Sequence, residues 1–129
     1  MKHWRGCYDN ANAPGGGNDL IYSFCLDLND PIMTARLRVV GAKLIQRAVS
    51  RNRVARKHGR GRGETIYVAI DELNGTGILL VILDEGGPEL FCDDDCYKLA
   101  DTVRYDQAPG GMLSVATFYF QSDKGGEAA

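Results

Sequence analysis

The sequence predicts a single α+β domain with an antiparallel sheet. Three observations lead to this class: a long amphipathic helix in the middle of the chain, a β-hairpin directly after it, and strand-like apolar segments near both ends. The 129 residues are 44% hydrophobic and 25% charged, which is the composition of an ordinary globular domain. We expect an N-terminal arm over residues 1–19, one α/β domain over 20–121 and a C-terminal tail over 122–129.

The first half of the domain is predicted to be a strand followed by a long helix. Residues 20–28 alternate apolar side chains at every second position, which is typical of a strand. Asp30 and Pro31 then have the chemistry of an N-cap and a first helical residue. The apolar stripe of this helix runs from Met33 to Ala48, and Arg51 stands where its next apolar residue should be. We therefore expect the end of the helix, up to a stop at Gly59, to overhang the core.

The second half is predicted to be a β-meander with one short helix. Two apolar segments, 64–73 and 78–83, flank Asn74-Gly75, which is a strong hairpin signal. A short strand at 89–92, a helix beginning at Asp93–Asp95 and containing Val103, and a last strand at 112–120 complete the pattern. The resulting βαββαβ order favours a split-βαβ, ferredoxin-like fold. The alternative is another antiparallel order with two helices on one face.

Charge is divided sharply along the chain. Residues 31–63 contain ten Lys and Arg residues and no acid, whereas residues 64–129 contain thirteen acids and three basic residues. Arginine's planar fork suits phosphate oxygens, and glycines between arginines suit an irregular polyanion. The sequence therefore predicts a non-enzymatic nucleic-acid-binding domain, RNA or DNA, that contacts phosphates through an arginine-rich helix and a Gly-Arg loop. The predicted contacts are Arg36, Lys43, Arg47, Arg51, Arg53, Arg56, Lys57, Arg60 and Arg62.

The same charge pattern also fits a protein-interaction or assembly module, such as an accessory or structural factor of a virus or mobile element. Its basic segment would dock on an acidic partner or on the acidic half of a sister subunit, which would give a homo-oligomer. Five aromatic residues in the strand-like segments have two possible roles, base stacking on an open sheet and core packing. They are Tyr22, Phe24, Tyr67, Phe118 and Tyr119.

Other chemistry receives less support from the sequence. Acids near the predicted turns, including Asp71, Asp84, Glu85, Glu89 and Asp93–Asp95, would suit a hard cation, and a metal-dependent hydrolase using Asp27, Asp71 or Asp84 is a third hypothesis. No phosphate-binding loop or nucleophile elbow is present, and we expect no cofactor. The N-terminus lacks the apolar stretch of a secretory signal, so we predict a cytoplasmic protein with four reduced cysteines, Cys7, Cys25, Cys92 and Cys96.

Overall fold

The fold is a five-stranded antiparallel sheet with three helices packed on one face. A computed structural model gives this architecture and describes residues 3–59, 63–87, 94–122 and 124. Along the chain the elements are β1 (His3–Asp9), α1 (Ala13–Leu28), α2 (Pro31–Lys57), β2 (Thr65–Glu72), β3 (Gly77–Asp84), α3 (Asp94–Leu99), β4 (Thr102–Ala108) and β5 (Gly111–Tyr119). The strands lie in the order β1-β2-β3-β5-β4, and every neighbouring pair is antiparallel.

The α+β class and the antiparallel sheet are confirmed, but the ferredoxin-like topology is not. The observed order is βααββαββ rather than βαββαβ, with two helices in succession after the first strand. This agrees better with the alternative of an antiparallel sheet that carries its helices on one face in another order. The sequence prediction failed at the N-terminus, where the expected arm contains β1, and near residue 103, where the expected helix is the strand β4.

The segment predicted as the first strand is the second half of helix α1. Its buried side chains, Ile21, Phe24 and Cys25, follow helical spacing and join Ala13 and Gly17 from the first half. Tyr22 and Leu26, which the strand pattern would have buried, are exposed. Residues 20–28 are so rich in apolar side chains that they fit both the two-residue period of a strand and the 3.6-residue period of a helix. Only the first half of α1, which has Pro14 in its first turn, indicates a helix.

Helix α2 begins as predicted and is docked along much more of its length than predicted. The Asp30 side chain accepts a hydrogen bond from the Met33 N–H (3.0 Å), as an N-cap does. Burial continues through Arg51, Asn52 and Ala55, well past Ala48. The helix ends at Lys57, and Gly59 follows with a φ of 68°, the left-handed conformation that glycine adopts readily.

The predicted hairpin is confirmed as β2 and β3. Asn74 and Gly75 both have positive φ, 47° and 78°, as a type I′ turn between two strands requires. The last strand is also confirmed, as β5, and it pairs with β4 through the turn at Gly110. The predicted short strand at 89–92 lies outside the described residues.

The core lies between the sheet and the helices. Alternate residues of β2, β3 and β5 face α1 and α2, and Ile66, Val68, Ile70, Leu80 and Ile82 are fully buried there. Gly41 allows α2 to approach α1 and β3, because a Cβ at this position would collide with the side chain of Ile21. Within the described ranges, all three helices pack on this face, and no helix lies on the opposite face of the sheet.

Candidate functional site

The first arginine of the predicted phosphate-binding set, Arg36, is a buried structural residue. Its guanidinium pairs with Asp101 (Nη2 to Oδ2, 2.9 Å) and donates to the carbonyl oxygens of Leu99 (2.7 Å) and Tyr119 (3.1 Å). It also lies over the Phe118 ring, 5.4 Å from the ring centroid. These contacts join α2 to the end of α3 and to the end of β5. The prediction that Arg36 contacts a phosphate is therefore corrected, because all of this side chain lies inside the protein.

Arg51 is also buried, with no exposed surface. Its Nε donates to Asp84 Oδ2 (2.8 Å), and Nη2 donates to Ser114 Oγ (3.0 Å). Burial raises the pKa of Asp84, and the charge and hydrogen bond of Arg51 act against that rise. The arginine therefore anchors the C-terminal half of α2 to the sheet. It is removed from the candidate phosphate contacts for the same reason as Arg36.

The next residue, Asn52, explains why the end of α2 does not overhang. Its side-chain amide donates to Asn10 Oδ1 and to the Thr65 carbonyl, both at 2.9 Å, and its oxygen accepts from the Glu85 N–H at 2.8 Å. One fully buried amide thus connects the helix to the β1–α1 turn, to β2 and to the end of β3. Sequence reasoning missed this residue because an asparagine beside arginines resembles the rest of a solvated basic segment.

The remaining described cations of the predicted set lie at the surface of α2. Arg53, Arg56 and Lys57 are exposed, and Lys43 and Arg47 are half-buried. Within the part of the chain that the structure describes, no ion pair or side-chain hydrogen bond involves Arg47, Arg53, Arg56 or Lys57. We call these four residues the basic end of α2. Arg60 and Arg62 lie outside the described residues.

Beside the basic end lies an apolar surface that the sequence did not reveal. Tyr22 and Leu26 of α1 are 44% and 64% exposed, and Ile32 and Val39 of α2 are 56% and 41% exposed. We call these four residues the apolar patch. Between α1 and α2 runs a groove of about 580 Å³, lined by Asn18, Ala35, Arg38, Val39, Ala42 and Lys43. The Arg38 guanidinium lies over the Tyr22 ring, 4.9 Å from its centroid, and forms one wall of this surface.

The apolar patch and the basic end are parts of one outward-facing surface. Ile32, Val39, Gln46 and Arg53 are exposed and recur every seven residues, so they follow a line that turns by ~60° around α2. This line changes from apolar at the first turns to basic at the last turns over ~32 Å. The available sequence signal was the pair Ile32 and Val39, which falls on the helix side opposite the buried stripe.

Those acidic residues proposed for metal chemistry whose side chains the structure describes do not converge. Asp84 pairs with Arg51 in the core, whereas Asp71 pairs with Arg5 and His3 on the opposite face of the sheet. Asp27 is on α1, at the outer layer. Glu85 uses its side-chain oxygen to accept from the Glu64 and Thr65 N–H groups. In residues 3–59, 63–87, 94–122 and 124, no group of three potential ligands could hold a metal. Glu89 and Asp93 lie outside those ranges.

The predicted aromatic residues are divided between the core and the surface. Phe24 and Phe118 are fully buried, and Phe24 packs edge-on against Trp4 with ring centroids 6.3 Å apart. Tyr22, Tyr67 and Tyr119 are partly exposed, but Tyr22 lies on α1, Tyr67 on β2 and Tyr119 at the end of β5. They form no continuous stacking surface among the described residues.

The cysteines correct one prediction. Cys7 and Cys25 are free, whereas Cys96 is disulfide-bonded, so the expectation of four reduced thiols is wrong. Burial raises the pKa of the Cys25 thiol, with a hydrogen bond to Thr34 partly opposing it, so this thiol is poorly reactive. Cys92 lies outside the described residues.

Comparisons with known proteins show the fold only. No protein-family model matches the chain, and no curated protein matches its sequence. A solved structure, the RsbU and RsbW domains of Rv1364c from Mycobacterium tuberculosis, superposes with a TM-score of 0.71 at 15% identity. The match covers 92% of this chain and 32% of that chain. The match therefore shows a shared fold. In length, this chain corresponds to about a third of the chain that it matches.

No helix of the described region is both long enough and apolar enough to cross a membrane.

Proposed function

We propose that the protein is a non-enzymatic interaction module that binds an acidic protein partner on the outer side of α1 and α2. The observation that carries this proposal is the exposed line along α2 that begins at the apolar residues Ile32 and Val39 and ends at the basic residue Arg53. Large exposed apolar side chains grouped together favour a protein partner, because single exposed apolar residues are ordinary but a group of them is not. A nucleic-acid backbone offers phosphates and sugars, which do not cover such a patch.

The charge of the surface defines the chemistry of the partner. Helix α2 contains no acid from Pro31 to Lys57, so nothing on the helix itself neutralises its outward cations. The basic end makes no ion pair within the described region. A partner with carboxylates opposite Arg53 and Lys57 gains charge-assisted contacts without displacing existing ones.

The shape of the surface favours a helix as the docking element. The groove between α1 and α2 has apolar walls at Ala35, Val39 and Ala42 and cations at Arg38 and Lys43. An amphipathic helix places side chains at i, i+3, i+4 and i+7 in such a groove and turns its polar side outward. The proposed ligand is therefore an amphipathic helix with acidic residues toward the C-terminal end of α2.

A direct binding measurement tests this function. The probe is a fluorescein-labelled designed helix of leucine and glutamate in amphipathic order, and the control probe has the same composition in scrambled order. We expect anisotropy to show at least tenfold weaker binding for the scrambled peptide and for the Val39→Asp variant. Thr102→Asp, at an exposed position of β4 that is away from α1 and α2, serves as a charge-matched control. Equal binding of both peptides, or no binding of either, would contradict the proposal.

Nucleic-acid binding is the second candidate, because the four cations of the basic end have no ion pair among the described residues. If these residues neutralise phosphates, binding of a 20-mer duplex should fall with salt at a log-log slope of about -0.9 per contact. Replacing Arg47, Arg53, Arg56 and Lys57 by glutamine should then flatten the slope. Val39→Asp should leave nucleic-acid binding nearly unchanged, whereas it should abolish peptide binding. A raised 260/280 nm absorbance ratio in the purified protein would favour the second candidate over the first.

A further inference from the structure

The face of the sheet that the helices leave uncovered is unusually apolar for a solvent-facing surface. Antiparallel sheets with one covered face normally alternate apolar and polar residues along each strand. Strand β3 is apolar on both sides, with Leu79, Val81 and Leu83 on the uncovered face. The strand register places Ala69 and Val115 on either side of Val81, in the middle of the sheet. Both of these flanking side chains are already buried by their neighbours, whereas Leu79, Val81 and Leu83 are half-buried. We call this surface the open face.

Most of the described charges at the two rims of the open face are paired with one another, although Asp9 at the end of β1 accepts only from Asn12. At the β1 rim, Asp71 accepts from Arg5 Nη1 and His3 Nδ1, each at 2.7 Å. At the β4 rim, Arg104 Nε pairs with Asp106 Oδ2 at 3.1 Å. These pairs leave an apolar centre between rims whose charges largely cancel. Such a surface offers little attraction to a strongly charged partner and matches a partner of the same kind.

We propose that two copies of the chain pack open face to open face. A second copy presents the same apolar centre and the same largely paired rim charges. An isologous two-fold contact therefore covers both apolar centres and removes no counter-charge from either rim. Five strands spaced ~4.8 Å apart and seven to nine residues long give a face of roughly 600 Å² per copy. The total of roughly 1,200 Å² reaches the lower limit for a stable protein interface.

The dimer has a clear arrangement and consequence. The two sheets form the middle layers, about 10 Å apart, and the helices form the outer layers. The apolar patch and basic end of each copy therefore face outward, on opposite sides of the dimer. This inference stands on different residues from the proposed function, so either can fail without the other.

Sedimentation and light scattering of the full chain test the dimer. We expect wild type to sediment at twice the monomer mass of 14.1 kDa and to dissociate on dilution. Leu79→Lys should be monomeric at the concentrations at which wild type is dimeric. The control is Leu26→Lys, an equally drastic change on the helical side, which should remain dimeric. A wild-type monomer at all concentrations, or loss of the dimer in the control but not in Leu79→Lys, would overturn the proposal.

A second measurement does not depend on how Leu79→Lys folds. Cys7 is a free, exposed thiol on the open face, where its neighbour across the strand pair is Tyr67. In the dimer, a bulky maleimide should label Cys7 several-fold more slowly at high protein concentration than at low concentration. A peptide map of the labelled protein assigns the rate to Cys7 rather than to the buried Cys25. Concentration-independent labelling of Cys7 would count against the dimer even if sedimentation showed association through another surface.

Discussion

Two groups of arginines on the same helix have opposite roles. Arg36 and Arg51 point into the core and pair with Asp101 and Asp84, whereas Arg53 and Arg56 are exposed and have no ion pair in the described region. Arg36 and Arg51 are 15 residues apart, close to four helical turns, so they lie on nearly the same side of α2. The difference shows that a basic run read as one surface can contain both buried structural arginines and exposed ones.

The largest expected effect comes from breaking the more deeply buried pair. Arg51→Ala leaves Asp84 buried without its counter-charge, which should cost about 3–5 kcal/mol of unfolding free energy. Urea denaturation measures the loss, and Arg53→Ala, two residues away, is the matched control. The double variant Arg51→Met with Asp84→Leu should recover much of the loss, because it removes both charges from the core. Equal, small losses for Arg51→Ala and Arg53→Ala would remove the distinction between the two groups.

The buried side of α2 provides a calibration for this effect. Leu44 and Ile82 are fully buried on facing elements, as the sequence predicts from the helical stripe and from the most apolar strand. Each truncation to alanine should cost about 2–5 kcal/mol through lost burial and a residual cavity. Thermal melts of either variant within a degree or two of wild type would mean that the helix does not pack on the sheet as described.

Much of the fold can be predicted from the sequence, and the features that could not be predicted depend on contacts between distant residues. The N-cap at Asp30 and the hairpin at Asn74-Gly75 depend on local chemistry, which sequence patterns report well. The role of Arg51 depends on Asp84, 33 residues away, whose inward position follows from alternation along β3. The helical pattern identifies Arg51 only as the residue that ends an apolar stripe, and its pairing with Asp84 can be predicted only once the position of β3 beside α2 is known.

The candidate site illustrates the same limit. The four cations of the basic end all belong to the predicted set, because charge is visible in the sequence, but the sequence does not separate them from the buried Arg36 and Arg51. The apolar patch was not, because Tyr22 and Leu26 belong to a segment whose uniform apolar character conceals its helical period. Their exposure depends on which side of α1 faces the sheet, and this is decided by packing against α2 and β1.

The pair of Arg36 and Asp101 allows the structural role of the buried arginines to be tested by pH. Burial alone would raise the pKa of Asp101, but hydrogen bonds from Ser122 Oγ, the Tyr119 N–H and Arg36 outweigh it and lower the pKa. A lowered carboxyl pKa stabilises the fold above the unfolded value of about 3.9, and this contribution is lost as pH falls through the folded pKa. Asp101→Asn should therefore be less stable than wild type at pH 7, by about 1–3 kcal/mol.

Denaturation at several pH values checks this expectation. The gap between Asp101→Asn and wild type should narrow below pH 4, as the wild-type carboxyl becomes protonated. Asp106→Asn is the control, because that carboxylate is well exposed beside Arg104 and should contribute little. A gap that stays constant from pH 7 to pH 2 would show that the Asp101 charge does not stabilise the fold.

The smallest effect on stability should come from the exposed arginines, and its size tests directly whether they differ from the buried ones. Arg53→Gln combined with Arg56→Gln removes two cations that have no ion pair in the described part of the chain, so stability should change by less than about 0.5 kcal/mol per substitution. The same variant should bind the acidic amphipathic helix more weakly and with a weaker dependence on salt, because fewer charges attract the partner. Parallel melts and anisotropy titrations at two salt concentrations measure both properties. A clear loss of stability with unchanged peptide binding would place Arg53 and Arg56 with Arg36 and Arg51 as structural residues, and the basic end would then have no role in binding.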